Sequence, residues 1–303
     1  MKHAKRSGWR PFWAALGAAL LVLLPLVGGT VLLSRARLRS SLRQAAQSQS
    51  GVPIQAPKVT DQCTVLLCVA DEPTGFVLAY LNASQNCIHL LVVPAALEVS
   101  FGSNSATLAD CYAAAGPARC REALAAVFPL PQGTRYLAVS PAVLANLAAR
   151  YGPVRVGFTG ALTTDQLAQH GRDNRVQGIS ATEAHNFLLE LDTDNTLSPQ
   201  RSAAARAAVW DAFFRQNLDL LPATLPESLR SVSSSLLTNL TAVELTTLER
   251  TLEFLSTSTE AVDITSNALP GDWISGHYTV TEASLAAVQS LFNVSPTAGQ
   301  SAS

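Results

Sequence analysis

An uncharged apolar run of 22 residues, Phe12 to Leu33, constrains this chain more than any other feature. At helical rise it extends roughly 33 Å, enough to cross the hydrocarbon core of a bilayer. The apolar core of a cleaved signal peptide is shorter, ~7–15 residues, so a membrane anchor is the expectation and a cleaved leader the alternative. Pro25 is tolerated in such a span, and Trp9 and Trp13 suit an interfacial aromatic belt. Lys2, Lys5, Arg6 and Arg10 precede the run, and Arg35, Arg37, Arg39 and Arg43 follow it. The positive-inside comparison therefore ties, and the free amino terminus tips the expectation toward an N-terminus inside. The expected organisation is a cytoplasmic segment at 1–11, a transmembrane anchor at 12–33 and a flexible spacer at 34–62. One extracytoplasmic domain at 63–292 and a disordered tail at 293–303 complete it.

Charge separates the two parts. Eight of the 21 basic residues lie in 1–43, where there is no acid, which leaves 13 basic against 22 acidic residues beyond, a net of −9. Nucleic acid calls for a basic face, so that class of partner is excluded. The five cysteines, Cys63, Cys68, Cys87, Cys111 and Cys120, form no C-x-x-C pair, and no histidine spacing completes a zinc signature. Cys68 and Cys87 read as small buried hydrophobes on strands. In an oxidising compartment Cys111 and Cys120, which flank Gly116-Pro117, are the pair best placed for a disulfide.

The pattern beyond the spacer is α/β. Thr64 to Val69, Phe76 to Leu81 and Cys87 to Val93 read as strands, joined by the turn Asp71-Glu72-Pro73-Thr74-Gly75 and the polar loop 82–86. These runs scarcely alternate with polar residues, so their sheet is expected to be covered on both faces. Helical patterns follow over 106–115 and 118–127, split at Gly116-Pro117, then over 141–150, 182–190 and 198–221. Pro222 to Pro226 is expected to break the chain before further helices at 227–237, 241–255 and 281–292. Short strands are expected at 136–139, 154–158, 262–265 and 276–280. Strands interleaved with helices argue a three-layer domain with a central mixed sheet.

The stretch Val65-Leu-Leu-Cys-Val-Ala-Asp71, with Phe76 to Leu81 and Ile88-His-Leu-Leu-Val-Val-Pro94, resembles the opening of the LytR–CpsA–Psr domain. Further segments match that family in order. Thr107 to Gly116 is similar to its Lys-x-Asn-x-Ala-Tyr-x-x-Gly-Gly segment, and Arg150 to Val156 to its Gly-Gly-Val strand entry. Ile179 to Leu189 resembles the helix before its Tyr-x-Arg-x-Arg motif, and Arg206 to Ala212 its Arg-Gln helix. Thr238 to Leu245 and Leu269-Pro-Gly271 fit the C-terminal part. The resemblance spans roughly 63–292. It implies a three-layer fold on a single anchor in the cytoplasmic membrane. The implied activity is attachment of lipid-pyrophosphate-linked glycopolymers to peptidoglycan, with arginines neutralising the pyrophosphate and an Asp-held magnesium ion assisting.

This chain departs from the family at the charged positions. The Arg-Asp after the proline is Ala95-Ala96, and the second aspartate falls on Thr74-Gly75-Phe76. The Tyr-x-Arg region reads Phe187-Leu-Leu-Glu-Leu191. The Arg-Gln pair is Arg206-Ala207, and the arginine three residues earlier is Ala203. Asp71 and Arg206 survive and are the candidate catalytic residues, Asp71 also the sole candidate metal ligand. The expectation is a catalytically degenerate binding or accessory module of the cell envelope, without a cofactor. Its partners would be the membrane and a lipid-linked glycopolymer or another envelope protein. The alternative is a working magnesium-dependent phosphotransferase using relocated arginines, with Arg155, Arg172, Arg175 and Arg201 as candidate ligand-binding residues beside Arg206. A third reading is a protein-interaction scaffold. Glu190-Leu-Asp192-Thr-Asp194-Asn195 lacks the glycine and terminal glutamate of an EF-hand and reads as a solvated acidic loop. His89 reads as a core histidine and His185 as a packing or surface residue.

Overall fold

The computed structural model describes residues 56–102, 104–274 and 276–292. The expected N-terminal segment, anchor, most of the spacer and the tail lie outside the described residues. Among the described residues no helix is long and apolar enough to cross a membrane.

Three strands dominate the domain: β1 (Gln62–Val69), β2 (Gly75–Asn82) and β3 (Cys87–Val93). They run antiparallel in register, with Leu66 opposite Leu78 and Leu78 opposite Leu91. Successive side chains of a strand point to opposite faces, and here both sets are apolar. Leu66, Cys68, Phe76, Leu78, Leu91 and Val93 enter one core, whereas Val69, Val77, Leu81, Ile88, Leu90 and Val92 enter another. Each such side chain contributes about 1.5–3 kcal/mol on burial, so exposing either face would be prohibitive. Missing alternation in the sequence is the direct trace of this two-sided burial.

The remaining strands extend the sheet. They are β6 (Arg135–Val139), β9 (Leu237–Thr238) and β10 (Asp263–Ala268). The order is β10-β3-β2-β1-β6-β9. β10 runs parallel to β3 and β6 parallel to β1, while β9 is antiparallel to β6, so the sheet is mixed. One face is covered by α1 (Leu108–Val127) and α8 (Glu282–Phe292). The other is covered by α2 (Pro141–Ala148), α5 (Pro199–Asn217), α6 (Leu221–Ser231) and α7 (Ala242–Thr257). A third apolar cluster joins α5 to α3 (Thr164–Gln169), α4 (Ala181–Thr193) and the small ladder of β7 (Val154–Val156) with β8 (Gln177–Ile179). On the edge strand β10, the Ile264 carbonyl accepts a hydrogen bond from the Arg215 guanidinium.

The expected split at Gly116-Pro117 is present: Gly116 has φ 74° and interrupts α1, a conformation that costs glycine nothing. Thr107 caps this helix through the Asp110 N–H. Its start lies later than expected, because 98–107 form a hairpin of β4 (Glu98–Phe101) and β5 (Asn104–Thr107). The expected break at Pro222 to Pro226 is also corrected: both prolines lie within α6. Pro222 falls in the first turn, where its missing N–H has no helical partner to lose. His89 is buried, with Nδ1 3.0 Å from the Leu291 carbonyl and Nε2 3.2 Å from Asp263. A further small hairpin, β11 (Asp272–Ile274) with β12 (His277–Thr279), lies outside the main sheet.

The disulfide envisaged between Cys111 and Cys120 is not formed; all five cysteines are free and buried. Both belong to the core under α1, and the Cys120 thiol donates to the Leu108 carbonyl at 3.6 Å. Burial pushes the Cys63, Cys68 and Cys87 thiols from an ordinary 9.0 up to about 12. The folded state thus keeps protons that the unfolded chain sheds. This contribution to stability is complete below pH 9 and is lost as pH rises through about 12. The urea midpoint is expected to fall steadily above pH 9. Native thiols are expected to resist iodoacetamide near neutral pH, and all five to react once the chain is unfolded. Rapid alkylation of the native protein would contradict this burial.

Candidate functional site

Three elements converge beside the C-terminal end of β1. The chain leaves β1 at Val69, and Ala70 N–H donates to the Val139 carbonyl, which holds the following turn against β6. That turn carries Asp71, and the Thr74 hydroxyl donates to the Asp71 carbonyl at 3.1 Å. Helix α4 is fixed at its start by a capping box between Ser180 and Glu183. Its residues His185, Leu189 and Asp192 lie four and three positions apart, a spacing that places them on one face. Helix α5 begins at Pro199 and brings Ser202, Ala203 and Arg206 to the same place.

Arg206 is the hub of this arrangement. Its guanidinium donates to Asp192, which also accepts from the Ser202 hydroxyl. Both charged side chains are largely withdrawn from water, with 13% and 16% of their surfaces exposed. The guanidinium packs closely against Gly75: a Cβ there would sit 2.9 Å from Nη1. His185 Nε2 comes within 3.1 Å of Asp71 Oδ2. The two are too poorly aligned to hydrogen-bond, so that buried oxygen has no partner. The two charged groups that survive at this site thus face protein groups: Arg206 an acid, Asp71 an imidazole.

Three cavities meet at Arg206. An apolar one of about 230 Å³ runs between the sheet and α2, α4, α5, α6 and α7, walled by residues such as Leu67, Leu137, Leu144, Trp210, Phe213 and Leu229. An outer cleft of about 260 Å³ is lined by Thr74, Gly75, Pro94, Ala95, Ala96 and Ser202 among others. Between them lies a gap of about 10 Å³ bounded by Asp71, Gly75, His185, Asp192 and Arg206. The ion pair of Arg206 with Asp192 therefore stands where the apolar cavity opens toward the cleft.

The other arginines considered lie elsewhere. Arg155 is exposed and borders a separate cleft beside Asp211 and Arg215. The Arg172 guanidinium donates to Gln177 at 3.2 Å and sits over the Phe187 ring. Arg175 is exposed on the loop before β8. Arg201 donates to the Ala161 carbonyl at 2.9 Å. Of the six candidates, Asp71 and Arg206 share a cavity. His185 and Asp192 complete the site; by sequence the first reads as a packing or surface residue and the second as part of a solvated loop. The signal for them was their shared face with Leu189 on α4.

Magnesium does not fit these residues. The unpartnered Asp71 oxygen is the one observation in its favour. The gap beside it holds about one water, whereas magnesium keeps several. Its neighbours are an imidazole and a guanidinium, and Asp192 is already engaged. Among the described residues no group of three His, Cys, Asp or Glu gathers around a common point.

No family model matches the chain, and no curated protein matches it. Solved structures do. The LytR-Csp2A-Psr enzyme from Actinomyces oris is 20% identical with a TM-score of 0.56, over 79% of this chain and 94% of that one. A structure of TagT bound to LIIa-WTA is 16% identical with a TM-score of 0.58, over 80% and 94%. TagU of B. subtilis is 13% identical with a TM-score of 0.51, over 78% and 99%. The domain described here therefore has a LytR–CpsA–Psr-like fold, as its sequence resemblance implied.

A double-mutant cycle tests the hub. Arg206→Ala leaves Asp192 with one partner fewer in a largely buried position. Arg206→Ala, Asp192→Ala and the double variant are expected to show a coupling energy of about 1–3 kcal/mol in denaturant unfolding. A coupling below about 0.5 kcal/mol would place the pair among ordinary surface contacts.

Proposed function

We propose that this protein is a membrane-anchored, extracytoplasmic envelope protein that binds an apolar chain and does not carry out glycopolymer transfer. The observation that carries this reading is the internal pairing of Arg206 with Asp192 at the mouth of an intact apolar cavity. Phosphoryl transfer depends on positioned charge that meets the transferring oxygens. Here one guanidinium lines the mouth, and it is held by an acid of the same chain. Positions where the resemblance expects arginine or aspartate are Ala95, Ala96, Gly75 and Ala203, all of which line the outer cleft. Apolar walls favour a hydrocarbon ligand by roughly 25 cal/mol for each Å² removed from water. Loss of catalytic charge with retention of such walls supports a binding or accessory role in envelope glycopolymer assembly.

The direct test is turnover of a lipid-pyrophosphate-linked glycopolymer donor with magnesium by the full-length protein, beside Asp71→Ala and Arg206→Ala. The parent is expected to fall at least about a hundred-fold below an active protein of the same fold, the usual cost of one lost donor. Robust magnesium-dependent turnover abolished by either substitution would establish a transferase instead. Topology is tested separately: protease added to intact spheroplasts is expected to digest residues 56–292. Digestion only after lysis would reverse the orientation.

A further inference from the structure

The lining of the outer cleft bears on the headgroup of the ligand, an inference that rests on the apolar-chain reading above. The charged side chains facing the junction are two carboxyls, Asp71 and Asp192, one guanidinium, Arg206, and the imidazole of His185. The cleft itself adds no further charge: of its lining residues, Asp192 and Arg206 alone are charged. Its hydroxyls are also committed as donors. Thr74 donates to the Asp71 carbonyl, Thr107 to the Asp110 carboxylate and Ser202 to Asp192. A hydroxyl that has given its proton away keeps lone pairs, so these groups face a ligand as acceptors. Arg206 Nη2 donates to Asp192, which neutralises the guanidinium's charge, and Nη1 packs against Gly75.

A phosphate or pyrophosphate is wholly an acceptor and carries negative charge. In this cleft it would meet the Asp192 carboxylate and acceptor oxygens, with Asp71 at the junction beyond and its one guanidinium already paired with an acid. An uncharged hydroxyl headgroup differs: it brings a donor as well as lone pairs and no charge, and both the Asp192 carboxylate and the hydroxyl oxygens can receive that donor. Asp71 Oδ2 adds a buried acceptor without a hydrogen bond at the inner end of the same path. A buried acceptor left unmet is costly, so a donor reaching it gains more than a surface hydrogen bond would.

We infer that the site takes a lipid whose head is an uncharged alcohol, and that it discriminates against the phosphorylated form of the same chain. The ion pair of Arg206 with Asp192 sets this preference: it neutralises the sole guanidinium and leaves the cleft without a free positive charge.

The test uses the full-length protein in nanodiscs and a fluorescent acyl probe that occupies the apolar cavity. A C20 isoprenoid alcohol and its pyrophosphate compete for the probe. The alcohol is expected to compete about ten-fold or more better. Asp192→Asn, which is near-isosteric and frees Arg206, is expected to tighten the pyrophosphate at least about ten-fold and so narrow or reverse that ratio. On the parent protein, added salt is expected to strengthen pyrophosphate competition by screening repulsion and to leave the alcohol unchanged, a measurement that needs no variant. Pyrophosphate competing as well as the alcohol on the parent would overturn the headgroup inference and leave the apolar-chain reading standing. Failure of both lipids to displace the probe would overturn the apolar-chain reading and the headgroup inference together.

Discussion

Strands with no polar face govern this molecule. Because β1, β2 and β3 project apolar side chains on both sides, the chain must supply two helical covers, and most of the later helices serve one or the other. The cover built from α1 and α8 is closed with small and aromatic groups, including two of the buried thiols. The opposite cover is assembled from several helices that splay around Trp210, Phe213 and Leu229 and leave the apolar cavity. Two-sided burial therefore produces both the rigid floor of the site and the space above it.

Charge at the mouth of that space follows a different logic. A guanidinium largely removed from water must be matched, and Asp192 from the neighbouring helix matches it. Gly75 admits the planar group against the backbone of β2. The guanidinium therefore has its counter-charge within the chain. Asp71 is the less settled partner, close to His185 without a proper hydrogen bond. The result is a polar seam of two acids, one guanidinium and one imidazole.

Much of the fold was legible in the sequence because its signals are local. The non-alternating runs located β1 to β3 and their double covering, and Gly116 announced the interruption of α1 through its own backbone freedom. The serial resemblance brought Asp71 and Arg206 together across more than a hundred residues. What stayed hidden depends on contacts distant in sequence. Asp192 meets Arg206 across 14 positions and two helices, and an acidic helix end reads as solvent-facing until its partner is known. Pro222 reads as a stop until the first turn of α6 is seen to absorb it. The thiols at 111 and 120 flank a break, yet that geometry accommodates packing as readily as bonding.

One contact at the far side of the sheet has its own consequence. The outermost strand β10 offers backbone groups to any passing chain, and such exposed borders are where sheets grow by recruiting neighbours. Arg215 occupies one of those carbonyls, with Asp211 gripping the other side of the guanidinium at 2.7 Å. At the opposite border β9 presents two residues, too short to template a partner. With both borders blunted in this way, two copies of the domain that meet edge to edge find little backbone to pair with.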